Sequence, residues 1–149
     1  MATMTLRGTI YLLCILAVSC GIVRRGSTVV IPQGFAGWAR IEYQVPGAAE
    51  LPLEGGQYLI VIPKSGFVAT SSKPESGFGD DQYFQVDDHG VRSALTIEQG
   101  DPKAAAIRAR KMFTMGTPER PNRTFGAFFV GTENAYQEAH KDPTTLALP

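Results

Sequence analysis

Cys20 has the surroundings of a lipid-modification site. It directly follows the small and apolar residues 16–19, and an apolar run over residues 9–18 has Arg7 as the only charge before it. A charged start, a short apolar segment and a small-residue cleavage site are the layout of a secretory signal. With a cysteine at the cut, this layout predicts cleavage before Cys20 and acylation of its thiol, which would make Cys20 the first residue of the mature chain.

The apolar run is too short to be a membrane-spanning helix, which needs about 20 apolar residues. Two features leave ordinary secretion or an uncleaved anchor open. Ala17 stands where leucine is commonest in signals that precede a lipid-modified cysteine. Arg24 and Arg25 place positive charge just after the cut, where it resists translocation. Cys14 would be removed with the signal, so the mature domain contains no thiol for a disulfide, a cysteine metal site or a nucleophile.

The densest set of metal-ligating side chains is Asp80, Asp81, Asp87, Asp88 and His89. Oxygen-rich clusters suit Ca²⁺, which takes about 6–8 oxygen ligands. A predicted strand over residues 82–86 would, however, separate the two pairs by about 15 Å or more. The Asp87–Gly90 segment also has the chemistry of a hairpin turn. We therefore expect turns and solvated surface here, and no metal site.

Nucleophilic chemistry has one candidate segment, Ser71-Ser72-Lys73. The Ser-x-x-Lys spacing is absent, and no Gly-x-Ser-x-Gly elbow occurs in the chain. A Ser-His-Asp set would need His89 or His140 to lie beside a serine. We predict no catalytic residue and no cofactor, and keep as an alternative an envelope hydrolase that uses the 71–81 loop.

A binding surface is the remaining candidate site. Trp38 and Arg40 share one face of a predicted strand with Glu42, and Phe78 joins them if its loop folds over that face. An exposed aromatic residue beside an arginine is typical of binding hot spots. The alternative, which we favour for Trp38, is that this residue lies in the core while Arg40 and Glu42 form a surface pair.

Composition limits the class of partner. The 149 residues contain 14 basic and 14 acidic side chains, so no basic excess favours nucleic acid. About 130 residues remain after the signal, the usual size of one domain. The expected organisation is a signal peptide at 1–19, a lipidated tether at 20–27, a folded domain at 28–141 and a tail at 142–149.

The elements that must position these residues are mostly short strands. Strands are predicted at 28–31, 36–43, 57–62, 67–70, 82–86, 91–97 and 124–130, with hairpins joining the third to the fourth and the fifth to the sixth. Asp101 and Pro102 predict the start of a basic helix over 103–112. This helix could rest on anionic lipid, although a solvated helix face is the favoured interpretation. Thr132 predicts a cap for a second helix over 133–141. The pattern indicates a mainly β fold, a small antiparallel β-sandwich of about seven strands with one or two short helices.

Three segments together resemble a family of uncharacterised bacterial lipoprotein-like domains. They are Ile31–Trp38, the stretch from Gly56–Pro63 through Thr70–Ser72, and Phe128–Thr132. The Gly-x-Tyr-x-Ile-x-Ile-Pro pattern within the second is also similar to a strand of transthyretin-like or carboxypeptidase-regulatory sandwiches, which are usually accessory modules. The resemblance implies an envelope location and a β-sandwich, and brings no established activity with it.

The sequence therefore predicts a lipid-anchored, non-enzymatic β-sandwich of the bacterial envelope, facing the periplasm or the exterior. Its role would be in binding, assembly or structural support. It would contact the membrane through the N-terminal lipid and an envelope protein or glycan through its folded surface. A secreted soluble binding module is a further alternative, to be distinguished by the absence of lipid on Cys20.

Overall fold

Two β-sheets and one helix make up the described part of the chain. The computed structural model describes residues 23–97, 101–116, 118–119 and 121–139; the predicted signal peptide, Cys20, His140 and the C-terminal tail lie outside these ranges. The strands are β1 (Ser27–Pro32), β2 (Gly37–Tyr43), β3 (Leu53–Glu54), β4 (Gln57–Val61), β5 (Phe67–Ala69), β6 (Gln82–Val86), β7 (Arg92–Ala94), β8 (Ala106–Met115) and β9 (Arg123–Gly131), followed by helix α1 (Glu133–Ala139).

The strands form a five-stranded sheet in the order β3-β4-β1-β6-β7 and a four-stranded sheet in the order β5-β2-β9-β8. The mainly β, two-sheet fold predicted from the sequence is confirmed. The sheets are mixed, however, and not purely antiparallel: β1 runs parallel to β4 and β6, and β2 runs parallel to β5. The reason is that the chain changes sheet after β1, β2, β4, β5 and β7, so many neighbours within a sheet are not consecutive in sequence.

The predicted hairpin between β4 and β5 is wrong for the same reason. A turn does form at Pro63–Gly66, where the Gly66 N–H donates to the Pro63 carbonyl at 2.9 Å and Gly66 has a φ of 73°. That turn carries the chain from one sheet to the other. The predicted hairpin between β6 and β7 is confirmed, with Gly90 at a φ of 81° and its N–H donating to the Asp87 carbonyl at 3.0 Å.

The predicted basic helix over 103–112 is also wrong, because most of that segment belongs to β8. The residues predicted to start the helix do form a turn. An Asp101 carboxylate oxygen accepts the Lys103 N–H at 2.9 Å, and the Asp101 carbonyl accepts the Ala104 N–H at 2.9 Å. This makes a single turn. From Ala106 onward the backbone pairs with β9, and burial of Ala106 and Ile107 favours the strand over continuation of the turn.

The main core lies between the inner faces of the two sheets. Apolar side chains at alternate positions point inward from both, as the period of two in a strand requires. Burying each large one fully contributes about 1.5–3 kcal/mol. The buried members are Val29, Ile31, Ile60, Ile62 and Tyr83 from the five-stranded sheet and Ala39, Ile41, Ile107, Phe128 and Val130 from the four-stranded sheet.

Helix α1 covers the outer face of the four-stranded sheet. The Thr132 hydroxyl accepts the Ala135 N–H at 3.2 Å, which confirms the predicted N-cap. The Tyr136 ring then packs on Trp38 and Phe129, with ring centroids 6.2 and 5.5 Å away. No helix in the described ranges has the length and apolar content needed to cross a membrane.

Candidate functional site

A cavity of about 380 Å³ opens between the two sheets, at the end of the sandwich where β1, β4 and β6 begin. Its floor is the main core: Val29 and Ile60 reach it from the five-stranded sheet, and Ile41 and Phe128 from the four-stranded sheet. Ligand cavities in proteins span roughly 300–1,000 Å³ and are mostly apolar with a few polar groups. The size and floor of this cavity therefore suit a small ligand or part of a larger one.

The cavity mouth is charged, and its residues come from the N-terminal segment before β1 (residues 23–26), the loop between β5 and β6, and β8. Asp81 is its most engaged carboxylate. Both its oxygens accept hydrogen bonds from the Arg24 guanidinium, one at 2.9 Å, and one also accepts the Ser27 N–H at 3.0 Å. This pairing raises the pKa of Arg24 above its usual value. Asp81 therefore fastens the N-terminal segment to the start of β6.

Glu75 holds the opposite side of the mouth. Its carboxylate accepts the Tyr58 hydroxyl at 2.9 Å and the Arg25 N–H at 3.1 Å. The Arg25 guanidinium lies 5.1 Å from the centre of the Tyr58 ring, within the range of a cation–π contact. The hydrogen bond to Glu75 raises the pKa of Tyr58. Both carboxylates that line the cavity are thus committed to protein donors.

The basic side chains at the mouth outnumber the acidic ones. Of the five basic residues that line the cavity, Lys111 extends over the Trp38 ring on the outer face of its sheet, 5.4 Å from the ring centre. The other four basic residues lie at the mouth, where the described part of the chain supplies only two carboxylates. They are Arg24, Arg25, Lys73 and Arg110. Lys73 is exposed and the Arg110 side chain is 46% exposed, so the positive charge faces solvent at the entrance.

A β-bulge directs Arg110 toward the cavity. Between Arg108 and Lys111, two residues of β8 lie opposite one residue of β9, and Ala109 has a φ of 48°. A bulge of this kind breaks the alternation of side chains and re-aims one of them. As a result Arg110 faces the five-stranded sheet, where its guanidinium lies 4.0 Å from the Asp81 carboxylate and its positive charge lies near Tyr83.

Two tyrosines form the walls between the apolar floor and the charged mouth. Burial raises the pKa of Tyr43 to about 12 and also raises the pKa of Tyr83, so both phenols stay neutral at physiological pH. The Tyr83 ring packs edge-on against Phe128, with centroids 5.4 Å apart. The Tyr43 ring lies against Gly126, where an added Cβ would come within 3.3 Å of it.

The N-terminal segment is built into the mouth by close backbone contacts. A Cβ on Gly26 would lie 2.2 Å from the Asp80 carbonyl oxygen, so only glycine fits there without a backbone shift. The Arg24 N–H donates to the Phe78 carbonyl at 2.9 Å, and the Gly26 carbonyl accepts the Tyr58 N–H at 3.0 Å. The chain therefore enters the folded domain directly at the rim of the cavity.

The three residues proposed from the sequence as a binding surface lie in different surroundings. Trp38 is 8% exposed beneath helix α1. Arg40 is 4% exposed, with its guanidinium over the rings of Phe67 and Phe125 at 5.0 and 5.3 Å, and its burial lowers its pKa. Phe78 is 79% exposed in the loop before β6, beside the N-terminal segment. The structure does not bring Phe78 to the β2 face that carries the other two.

The acidic set from the sequence is divided between two structural roles. Asp81 pairs with Arg24, whereas one Asp87 oxygen accepts the N–H groups of His89 and Val91 at 2.9 and 2.8 Å and so shapes the hairpin turn. Within the residues that the structure describes, no three His, Cys, Asp or Glu side chains come together in a way that could hold a metal ion.

The hydroxyls of the candidate nucleophile segment hold loops together. The Ser72 hydroxyl accepts the Leu51 N–H at 2.9 Å, and the neighbouring Thr70 hydroxyl donates to the Ala49 carbonyl at 2.8 Å. His89 lies in the turn between β6 and β7, while Ser72 follows β5 in the other sheet. Lys73, by contrast, reaches the cavity mouth.

Sequence reasoning missed the cavity because its residues come from distant parts of the chain. The alternation of side chains along β2 and β6 places Tyr43 and Tyr83 on the inner faces of the sheets. This alternation is the one sequence signal that points to the cavity walls. In the sequence, Arg24 and Arg25 stand out only as charges after the predicted cleavage site. Arg110 was assigned to a helix, because the bulge hides the alternation that would have placed it.

Comparisons with known proteins agree with this fold. A family described as "Family of unknown function (DUF6843)" matches residues 24–139. A crystal structure of a candidate lipoprotein from Bacillus anthracis superposes with a TM-score of 0.56 at 23% identity, covering 83% of this chain and 84% of that one. No protein with a curated description is significantly similar to the chain.

Proposed function

Because the chain belongs to the DUF6843 family, whose function is unknown, we propose from its own residues that it is a lipid-anchored, non-enzymatic binding module of the bacterial envelope. The proposal has two parts, an anchor at Cys20 and a ligand site in the cavity between the sheets. The envelope location is supported by the signal layout around Cys20 and by a neighbour of the same fold that is itself a candidate lipoprotein.

The observation that carries the binding role is the cavity itself. It combines an apolar floor with a charged mouth, the arrangement that binding sites for small molecules use. A binding role fits the polar side chains better than catalysis does. Asp81 and Glu75 are occupied by donors that fasten the mouth together, and the Ser72 hydroxyl is occupied by a backbone N–H.

The anchor and the cavity would lie close together. Cys20 precedes Arg24 by four residues, which span at most about 14 Å even when fully extended. Since Arg24 is part of the cavity mouth, a lipid on Cys20 would hold the mouth near the membrane surface. The proposed module would thus present its site to the bilayer and its far end to the aqueous phase.

The anchor is tested by the intact mass of the protein purified from the membrane fraction of a bacterial host. We expect a chain that begins at Cys20 and carries acyl mass under denaturing conditions. The matched control is Cys20→Ala, which should lack the acyl mass, while Cys14→Ala should retain it because Cys14 leaves with the signal. An unlipidated wild-type chain recovered from the medium would instead support the secreted soluble module.

A further inference from the structure

The geometry points to an anionic amphiphile as the ligand of the cavity: a molecule with a phosphate or carboxylate head and an acyl tail. We infer that the head lies at the basic mouth and the tail on the apolar floor. This inference rests on the binding half of the proposed function and names the chemistry of its ligand. The same chemistry is offered by a membrane phospholipid and by a free fatty acid.

The interior of the cavity favours an acyl tail. Val29, Ile41 and Ile60 are each no more than 4% exposed, yet they also line the open cavity. These side chains close the bottom of the cavity, and the apolar surface that an occupant would remove from water lies above them, on the half-buried Tyr43 and Leu51 and on Met112, which is 49% exposed. The buried rings of Phe128 and Tyr83 form the wall beneath that surface.

The charge at the entrance of the cavity favours an anionic head. Asp81 is neutralised by Arg24, and Glu75 is engaged by Tyr58 and the Arg25 N–H. Lys73 is exposed at the same entrance, and so is Arg110, which lies 4.0 Å from the Asp81 carboxylate that Arg24 already neutralises. An arginine and a lysine together suit a phosphate or carboxylate, which accepts charge-assisted hydrogen bonds from both. A neutral or cationic head would leave this excess of positive charge unmatched.

The position in the chain supports a membrane source. The N-terminal segment that carries the proposed anchor forms part of the mouth, and the exposed Phe78 lies beside it, with its carbonyl accepting the Arg24 N–H at 2.9 Å. An exposed aromatic ring next to basic side chains is a combination found at membrane interfaces. A lipid could then enter the cavity from the bilayer that holds the anchor.

The test uses the full chain purified from membranes in a nonionic detergent and native mass spectrometry. Four probes are added in turn: lysophosphatidylglycerol, palmitate, a neutral monoacylglycerol of the same chain length, and inorganic phosphate. We expect one bound lysophosphatidylglycerol or palmitate per chain. The monoacylglycerol should bind at least about tenfold more weakly, as expected for the loss of one charge-assisted hydrogen bond, and phosphate should give no complex.

The variants separate the cavity from the rest of the chain. Lys73→Gln with Arg110→Gln should weaken binding of both anionic probes by about tenfold or more. The matched control is Lys64→Gln with Lys103→Gln, which removes the same charge from exposed positions outside the cavity. Val29→Phe, which fills the floor, should weaken binding of the tail; Trp38 emission reports whether it folds.

The outcomes separate the inference from the anchor. Acyl mass on Cys20 survives denaturation, whereas a cavity ligand is lost, so one sample reports both. Acylated chain that binds neither anionic probe overturns the inference and leaves the anchor standing. Equal binding of neutral and anionic probes, or equal loss in the charge variant and its control, overturns it as well. Preference for lysophosphatidylglycerol over palmitate identifies the source as a membrane phospholipid, and the reverse preference identifies a free fatty acid.

Discussion

Glu42 and Arg123 form a buried ion pair on the outer face of the four-stranded sheet. The Arg123 guanidinium donates to both carboxylate oxygens of Glu42, one at 2.6 Å, and the two side chains are 4% and 12% exposed. We expect Glu42→Gln to lower the free energy of unfolding by about 3–5 kcal/mol, because the charges of Arg123 and of the buried Arg40 beside it then lose their carboxylate partner. Denaturant unfolding followed by circular dichroism measures the loss.

The matched control is the exposed pair between Arg92 and Glu54, which joins the two edge strands of the five-stranded sheet at 2.6 Å. Arg92→Gln should change the free energy of unfolding little, since solvent screens an exposed pair. If the two substitutions destabilise the protein equally, burial does not determine what these pairs contribute.

Tyr43 gives the domain a pH dependence at the alkaline end. Its pKa is 10.0 in an ordinary setting and about 12 in the folded chain because of burial, so folding favours the neutral phenol. The stabilisation is complete below pH 10 and is lost as the pH rises toward 12, since the unfolded chain then releases the proton more readily. Tyr43→Phe cannot ionise and should lose less stability over that interval.

Thermal unfolding at a series of alkaline pH values measures this difference. Tyr43→Phe should still lose some stability as the pH rises, because burial raises the pKa of Tyr83 as well. Alkaline profiles of wild type and Tyr43→Phe that coincide would contradict the assignment of this sensitivity to Tyr43.

At the scale of elements, the docking of helix α1 can be followed through Trp38, the one tryptophan of the chain. The ring of Tyr136 covers it, and Phe129 packs edge-on against it with centroids 5.6 Å apart. Tyr136→Ala should expose the indole and shift its fluorescence emission to longer wavelength. Gln137→Ala is the control: Gln137 is exposed on the same helix, so the emission should stay that of wild type.

The elements also separate what local sequence signals predict from what they do not. The Thr132 cap and the Asp87–Gly90 turn were predictable because both depend on neighbouring residues alone. The β8 strand was not, because its alternation is interrupted at Ala109 and its start resembles a helix cap at Asp101. The cavity depends on pairings between distant strands, so no local pattern of the chain contains it.

For the whole molecule, the path of the chain makes the two sheets depend on each other. Five changes of sheet interleave them, and β1, at the centre of the five-stranded sheet, pairs with two strands that come later in sequence. The main core also takes its residues from both sheets. Neither sheet can therefore bury its inner face alone, and partial unfolding would expose the floor of the cavity together with the core.

This interdependence predicts a single cooperative unfolding transition. Far-ultraviolet circular dichroism reports mainly the strands of both sheets, whereas Trp38 emission reports the outer face of the four-stranded sheet beneath helix α1. In a two-state transition the curves from different probes coincide. Helix loss at a lower denaturant concentration would show α1 to be a separate unit.

Because the pairings are non-local, refolding should be slow for the domain's size, in the range of milliseconds to seconds. Stopped-flow Trp38 fluorescence measures that rate, and refolding within microseconds would contradict the interleaved topology as the determinant of folding.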